Sequence, residues 1–314
     1  AIKQLSDLGV DVTTRETAHA QPLQSALYSL SIIINPVTLK NFFKSIEELG
    51  VLDKKDQTFI DTKSNRKRIK DLLASKVYTK FEKNILDTAM EGIIKPADSI
   101  YIANDFLLSP NRNVAFVARY PNEAAQRITE MAFVCNRLLK QGIYPIIMKE
   151  NFEGVANFKY MPIQFTINKK PHQFCFGYES TRSELACIDE INDYLAKLNE
   201  PQLYVNVLKP KQTQDPRYYH QDCAVNYLTG VQESLNVKFD SIEDVNLDLL
   251  LKHRKPKGTA FVAKDSLSDH SMVSLKQIIK NVISLDTKND PLVANLVATK
   301  TTFGESILLA STGM

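Results

Sequence analysis

A repeated order of elements constrains this chain more than any single motif. Asp98 to Met148 reads as a strand (SIYIANDFLL), a strand (NVAFVARY), a helix and a strand (IYPIIM). The helix keeps Ala124, Ile128, Met131, Cys135 and Leu138 at helical spacing. Tyr160 to Leu208 repeats the order with MPIQFTI, HQFCFGYE, a helix carrying Leu185, Ile188, Ile191, Leu195 and Leu198 on one face, and QLYVNVL. Tyr219 to Leu285 repeats it again with HQDCAVNYL, GTAFVAKD, MVSLKQIIKNV and ISL, interrupted by a charged insertion at about 232 to 256. A last strand pair, NLVATK and SILLAST, reads as a blade left open. Short strands in recurring ββαβ units cannot each bury both faces alone, so neighbours pack around a common axis. The expected fold is an α/β propeller, a ring of ββαβ blades.

The N-terminal third departs from this pattern. Ser29 to Pro36 (SLSIIINP) reads as a strand, Leu39 to Leu49 as a short amphipathic helix, Lys54 to Lys70 as a polar, basic excursion, and Val77 to Met90 as a helix. Ser25 to Gly92 is therefore expected to be a remaining blade with helical insertions at about 50 to 90. Residues 1 to 24 are expected to form an arm, and residues 25 to 314 a single domain.

Composition narrows the function classes. The chain has 314 residues, 44% hydrophobic and 24% charged, which excludes a disordered segment and permits a sizeable core. Thirty-nine basic residues against 36 acidic ones leave a charge of +3, so neither nucleic acid nor an anionic membrane is the expected partner. No apolar run approaches the ~20 residues that cross a bilayer, and no leader pattern opens the chain, so a cytoplasmic location is expected. Cys135, Cys175, Cys187 and Cys223 all sit in apolar segments without CxxC spacing and read as reduced, buried thiols. His19, His172, His220, His253 and His270 are scattered, and no Gly-rich phosphate loop occurs, so neither a metal nor another cofactor is expected. The basic runs Ser64 to Lys70 and Lys252 to Lys257 suit a solvated helix face or contact with a partner.

Three ordered patterns carry chemistry. The first is Pro-Ala-Asp-Ser-Ile-Tyr-Ile-Ala-Asn-Asp, residues 96 to 105. The second is Ala-Arg-Tyr-Pro at 118 to 121, leading to Arg127 and Glu130. The third is Tyr-Tyr-His-Gln-Asp-Cys-Ala-Val at 218 to 225. A weaker one is Tyr-Glu-Ser-Thr-Arg-Ser at 178 to 183. Together they resemble dimethylarginine dimethylaminohydrolases and arginine deiminases, of the pentein superfamily of guanidine-modifying enzymes, over about two thirds of the chain. In those enzymes a Pro-Asp precedes an acidic pair, an Arg-Pro precedes an Arg-rich helix start, and a His-x-Asp strand brings the catalytic His into the ring. The resemblance implies His220 as acid and base, Asp222 and Asp98 as holders of a guanidinium, and Arg127 and Arg182 as clamps for a carboxylate. The acidic pair falls on Ala103 and Asn104, with Asp105 one step late.

The reason for such residues is chemical: a guanidinium carbon is a poor electrophile, so carboxylates hold the planar cation, a thiolate attacks, and His serves the leaving amine. In a strand, His220 and Asp222 would share one face while Gln221 and Cys223 point to the other. The residues also suit simpler roles: His220 a backbone-satisfied strand histidine, Asp98 a turn or cap, Arg119 and Arg127 solvated charges.

The family's nucleophile is a Cys in the last strand, but Thr301 to Thr312 (TTFGESILLAST) contains none. Its expected position falls on Gly304, Leu309 or Ala310. Three readings stay open: a ring that has lost covalent catalysis and binds a ligand or protein, a replaced Cys at Ala310, or altered chemistry by Cys223 or Glu305. The functional expectation is thus an amidinohydrolase- or amidinotransferase-like protein with an arginine-like small molecule as ligand. The alternative is a non-catalytic scaffold with a protein partner.

Overall fold

The computed structural model describes residues 23–75, 77–94, 105–120, 127–212, 217–229, 233–251, 258–286, 296–300 and 306–310. Two compact units emerge: the described residues of Arg15–Leu108 and Arg112–Glu153 form one, and those of Ser109–Asn111 and Gly154–Met314 the other.

The first unit is mostly helical. α1 (Leu23–Ser29) runs into a 3-10 turn (Leu30–Ile32), so the run expected as a strand is helical. An unbroken apolar run lacks the period that would separate a strand from a buried helix. Here Leu23, Ala26, Leu27, Leu30 and Ile34 bury one helical face. α2 (Pro36–Glu48) matches its expectation: Asn35 accepts from the Val37 amide at 2.9 Å, Pro36 opens the first turn, and Leu39, Phe42, Phe43 and Ile46 are buried.

α3 (Lys63–Ala74), capped by Thr62, occupies part of the expected polar excursion. It buries only Ile69 and Leu73 and leaves Lys67, Arg68 and Lys70 exposed. α4 (Lys80–Ile94) follows. Among the described residues 23–94 the only β pairing is the isolated bridge Leu52↔Phe59, so the described part of this region is a helical layer and not a blade.

β1 (Phe106–Leu108), β2 (Val114–Val117), α5 (Ile128–Lys140) and β3 (Tyr144–Ile147) complete this unit as the first expected ββαβ repeat. β2 pairs antiparallel with β1 and parallel with β3, as a helical crossover requires. Ala115, Val117, Met131, Val134, Cys135 and Leu138 pack between sheet and helix.

The second unit holds the other repeats. α6 (Gly154–Asn157) leads into β4 (Phe158–Ile167), β5 (Lys170–Tyr178), α7 (Ala186–Lys197) and β6 (Gln202–Leu208). A four-residue helix α8 (Gln221–Ala224) precedes β7 (Val225–Thr229) and β8 (Glu233–Phe239), followed by the short helix α9 (Leu247–Leu251). β9 (Gly258–Ala263), α10 (Asp269–Ile278) and β10 (Asn281–Leu285) close the third repeat, and β11 (Leu296–Lys300) pairs antiparallel with β12 (Ser306–Ala310) as the expected terminal pair.

The sheet orders are β6-β5-β4-β8 and β10-β9-β7. β8 comes from the expected charged insertion and pairs parallel with β4, so that insertion is part of a sheet as well as a loop. Phe165, Phe174, Phe176, Val225, Val262 and Leu275 belong to one buried cluster that spans both sheets and α10. The molecule is thus a mixed α/β structure with three ββαβ repeats. Among the described residues no helix is long and apolar enough to cross a membrane.

Candidate functional site

His220 lies in extended backbone (φ −127°, ψ 158°) immediately before α8, and strand structure begins only at Val225. The expected alternation of His220 and Asp222 on one strand face is therefore overturned. Asn157, at the end of α6, caps this turn. Its Oδ1 accepts from the Gln221 amide at 3.1 Å, and its Nδ2 donates to Ser183 Oγ at 2.9 Å and Ser180 Oγ at 3.3 Å. An otherwise orphaned amide at the start of a turn is thus satisfied by a side chain from a distant part of the chain.

The turn changes which side chains meet. A ring nitrogen of His220, a carboxylate oxygen of Asp222 and the thiol sulfur of Cys223 lie within 4.8 Å of one another, and all three residues are buried. The Cys223 thiol donates to Asp222 Oδ1 across 3.7 Å. Burial raises the Asp222 carboxyl above its ordinary range, with His220 and Lys159 of β4 acting in the opposite sense. Burial lowers the Lys159 ammonium, which Asp222 partly offsets. Burial and then the Asp222 charge push the Cys223 thiol far up, so it stays protonated at neutral pH and is a poor nucleophile.

Arg182 reaches the same region through an aromatic ring. Its guanidinium carbon lies 5.3 Å from the Tyr219 ring centroid, and that ring lies 4.5 Å from His220 at a tilt of 52°. Arg182 N donates to Ser180 Oγ at 3.1 Å, and the Tyr178 hydroxyl donates to the Tyr218 carbonyl at 3.0 Å. The Tyr178 bond and the Asn157 bridge tie residues 178–183 to residues 218–221. The structure thus brings His220 and Asp222 together, and Arg182 reaches them only through the Tyr219 ring. Ser180, Ser183 and Tyr219 lie inside the quoted runs but were given no role there, and Asn157 and Lys159 were missed. Lys159, a cation inside the strand FKYMPIQFTI, had a readable signal.

The other expected site residues belong to the first unit, fall outside the described residues or, like Ala310, stand in the terminal strand pair. Arg127 Nη2 lies 3.3 Å from Asp105 Oδ1, and its Nε donates to Glu130 Oε2 at 3.0 Å. Its guanidinium carbon sits 4.4 Å over the Tyr120 ring, and the Tyr120 hydroxyl donates to Asp105 Oδ1 at 2.5 Å. Arg127, Asp105 and Glu130 are all buried, which overturns the reading of Arg127 as a solvated charge. Burial works against the Arg127 cation, but Tyr120, Glu130 and Asp105 outweigh it and hold the guanidinium above its ordinary range. Arg119 is exposed, and its backbone bridges to Phe152. Asp98, Asn104, Gly304 and Glu305 lie outside the described residues. Ala310 ends β12, opposite Leu296 in the ladder.

No protein-family model and no curated protein matches the sequence. Among solved structures, the chain is similar to the product-bound N-terminal domain of ArgZ, an arginine dihydrolase from the ornithine-ammonia cycle in Cyanobacteria. Identity is 17% over 68% of this chain and 66% of that one, with a TM-score of 0.39. It is also similar to the apo structure of ArgZ, at 16% identity over 69% of this chain and 29% of that one, with a TM-score of 0.41. A third similar structure is DDAH from Pseudomonas aeruginosa complexed with citrulline, at 13% identity over 64% of this chain and 58% of that one, with a TM-score of 0.38. This chain therefore spans just under two thirds of the ArgZ N-terminal domain and less than a third of the longer ArgZ chain.

Proposed function

We propose that this chain is a guanidine-modifying-enzyme-like protein that recognises an arginine-like small molecule at the His220 cluster and does not use a thiolate nucleophile. One observation carries the reading. The Asn157-capped turn gathers His220 and Asp222, and Tyr219 holds Arg182 alongside.

The residue types fit an arginine-like ligand. A carboxylate accepts two N–H bonds from a planar guanidinium, and Asp222 is a buried carboxyl that a bound cation would ionise. Arg182 would take the carboxylate of the amino-acid end through its planar fork. His220 would exchange a proton with a bound amine. Ala310 would stand where a thiol would otherwise be. The resembled enzymes attack with a thiolate; here Cys223 is held protonated, and the last strand contains no cysteine. The proposed setting is the cytoplasm.

Isothermal titration calorimetry with L-arginine, asymmetric dimethylarginine, ornithine and citrulline tests the reading. The expected result is saturable binding of an arginine-like cation at one site. Asp222→Asn and Arg182→Ala, each shown to be folded by circular dichroism, should weaken it by roughly 1.5–3 kcal/mol, the worth of a charge-assisted hydrogen bond. No binding to the wild type, or unchanged affinity in both variants, overturns it. Citrulline release that thiol alkylation abolishes would overturn the non-thiolate part.

A further inference from the structure

We propose that His220, Asp222 and Cys223 form a site for a thiophilic divalent metal ion of the zinc class. The inference goes beyond the guanidine reading and does not depend on it. The donors are an imidazole, a carboxylate and a thiol, the three side-chain types that bind zinc, and three protein ligands leave the fourth tetrahedral position open for water or another ligand.

The geometry is close to what such an ion needs. With metal–sulfur and metal–oxygen bonds of ~2.3 and ~2.0 Å, the sulfur–oxygen edge of a tetrahedron is about 3.5 Å. The Cys223 Sγ to Asp222 Oδ1 separation is 3.7 Å. All three donor atoms lie within 4.8 Å, so small side-chain rotations close the set around one ion. The backbone beneath them is fixed on both sides, by the Asn157 cap at Gln221 and by the entry into β7 at Val225.

Charge also balances. An ionised Asp222, a Cys223 thiolate and a neutral His220 offset a divalent cation, and binding releases the thiol proton to solvent. The half-buried Lys159, which lies near Asp222, would give way to the ion. The scattered histidines pointed away from a metal site, because that argument looked for closely spaced histidines. This set needs one histidine and two acids of different softness, all within one turn.

Cobalt(II) is the probe. Titrated into the metal-free full chain near neutral pH, one equivalent should produce a near-ultraviolet thiolate-to-cobalt charge-transfer band, and zinc(II) should displace it. Cys223→Ser should lose the band, and His220→Gln should weaken cobalt binding by an order of magnitude or more. Zinc should raise the melting temperature of the wild type and not that of Cys223→Ser. No band at one equivalent, or the same band in Cys223→Ser, overturns the proposal. Arginine titration of the chelated protein separates the two readings: arginine binding without cobalt binding sinks only the metal site, and the converse sinks only the guanidine reading.

Discussion

Arg127 bridges two buried carboxylates and covers an aromatic face, so its removal should be felt as uncompensated charge. Arg127→Met removes the cation that pairs with both buried carboxylates and should cost about 3–5 kcal/mol in urea unfolding. Glu130→Gln keeps the pair with Asp105 and should cost less. Arg127→Lys should not restore the wild type, since one ammonium cannot hold two carboxylates and a ring face at once. A loss below about 1 kcal/mol for Arg127→Met would remove this network from the account of stability. The motif at 118 to 130 flagged Arg127, and the run at 96 to 105 flagged Asp105. That these two charges pair with each other was not legible, because spacing gives residue types near a site and not which charge meets which.

At the scale of elements, β5 is the central strand whose close packing admits no added carbon at Gly177. A Cβ there would meet Val205 Cγ1 at 2.7 Å and Phe158 Cε1 at 3.3 Å, on the two flanking strands β6 and β4. Val205 is β-branched and stiff, so it cannot swing aside. Gly177→Ala should therefore destabilise by about 1–3 kcal/mol, and adding Val205→Ala should recover part of that loss. Equal stability of Gly177→Ala and wild type in thermal denaturation would refute the close approach.

The three repeats were readable because the hydrophobic period switches from two to 3.6 and back within each. The run at Ser29 to Pro36 was misread because it has no period to switch. The segment at 220 to 224 was misread because its turn depends on a cap from Asn157, which is local to neither the motif nor its strand.

For the whole molecule, the two units have separate hydrophobic clusters. Ile46 lies in the helical one and Ile278 in the one shared by the sheets. Ile46→Val and Ile278→Val should each cost about 0.5–1.5 kcal/mol. Lying in different clusters of the described residues, they should add to within about 0.5 kcal/mol in the double variant, measured at one temperature by denaturant unfolding. A coupling well above that would show the clusters acting as one core.

The sequence by itself determined the repeat, the element types inside it and the residues worth testing, because periodicity and residue chemistry are local properties of a chain. Only the tertiary structure decided that His220, Asp222 and Cys223 share one turn, that Arg127 is held by Asp105 and Glu130, and that the insertion at 232 to 256 supplies a strand. The turn depends on Asn157, Arg127 on Asp105 as well as on its near neighbour Glu130, and the added strand on β4, and a contact between distant residues leaves no pattern in the order of amino acids.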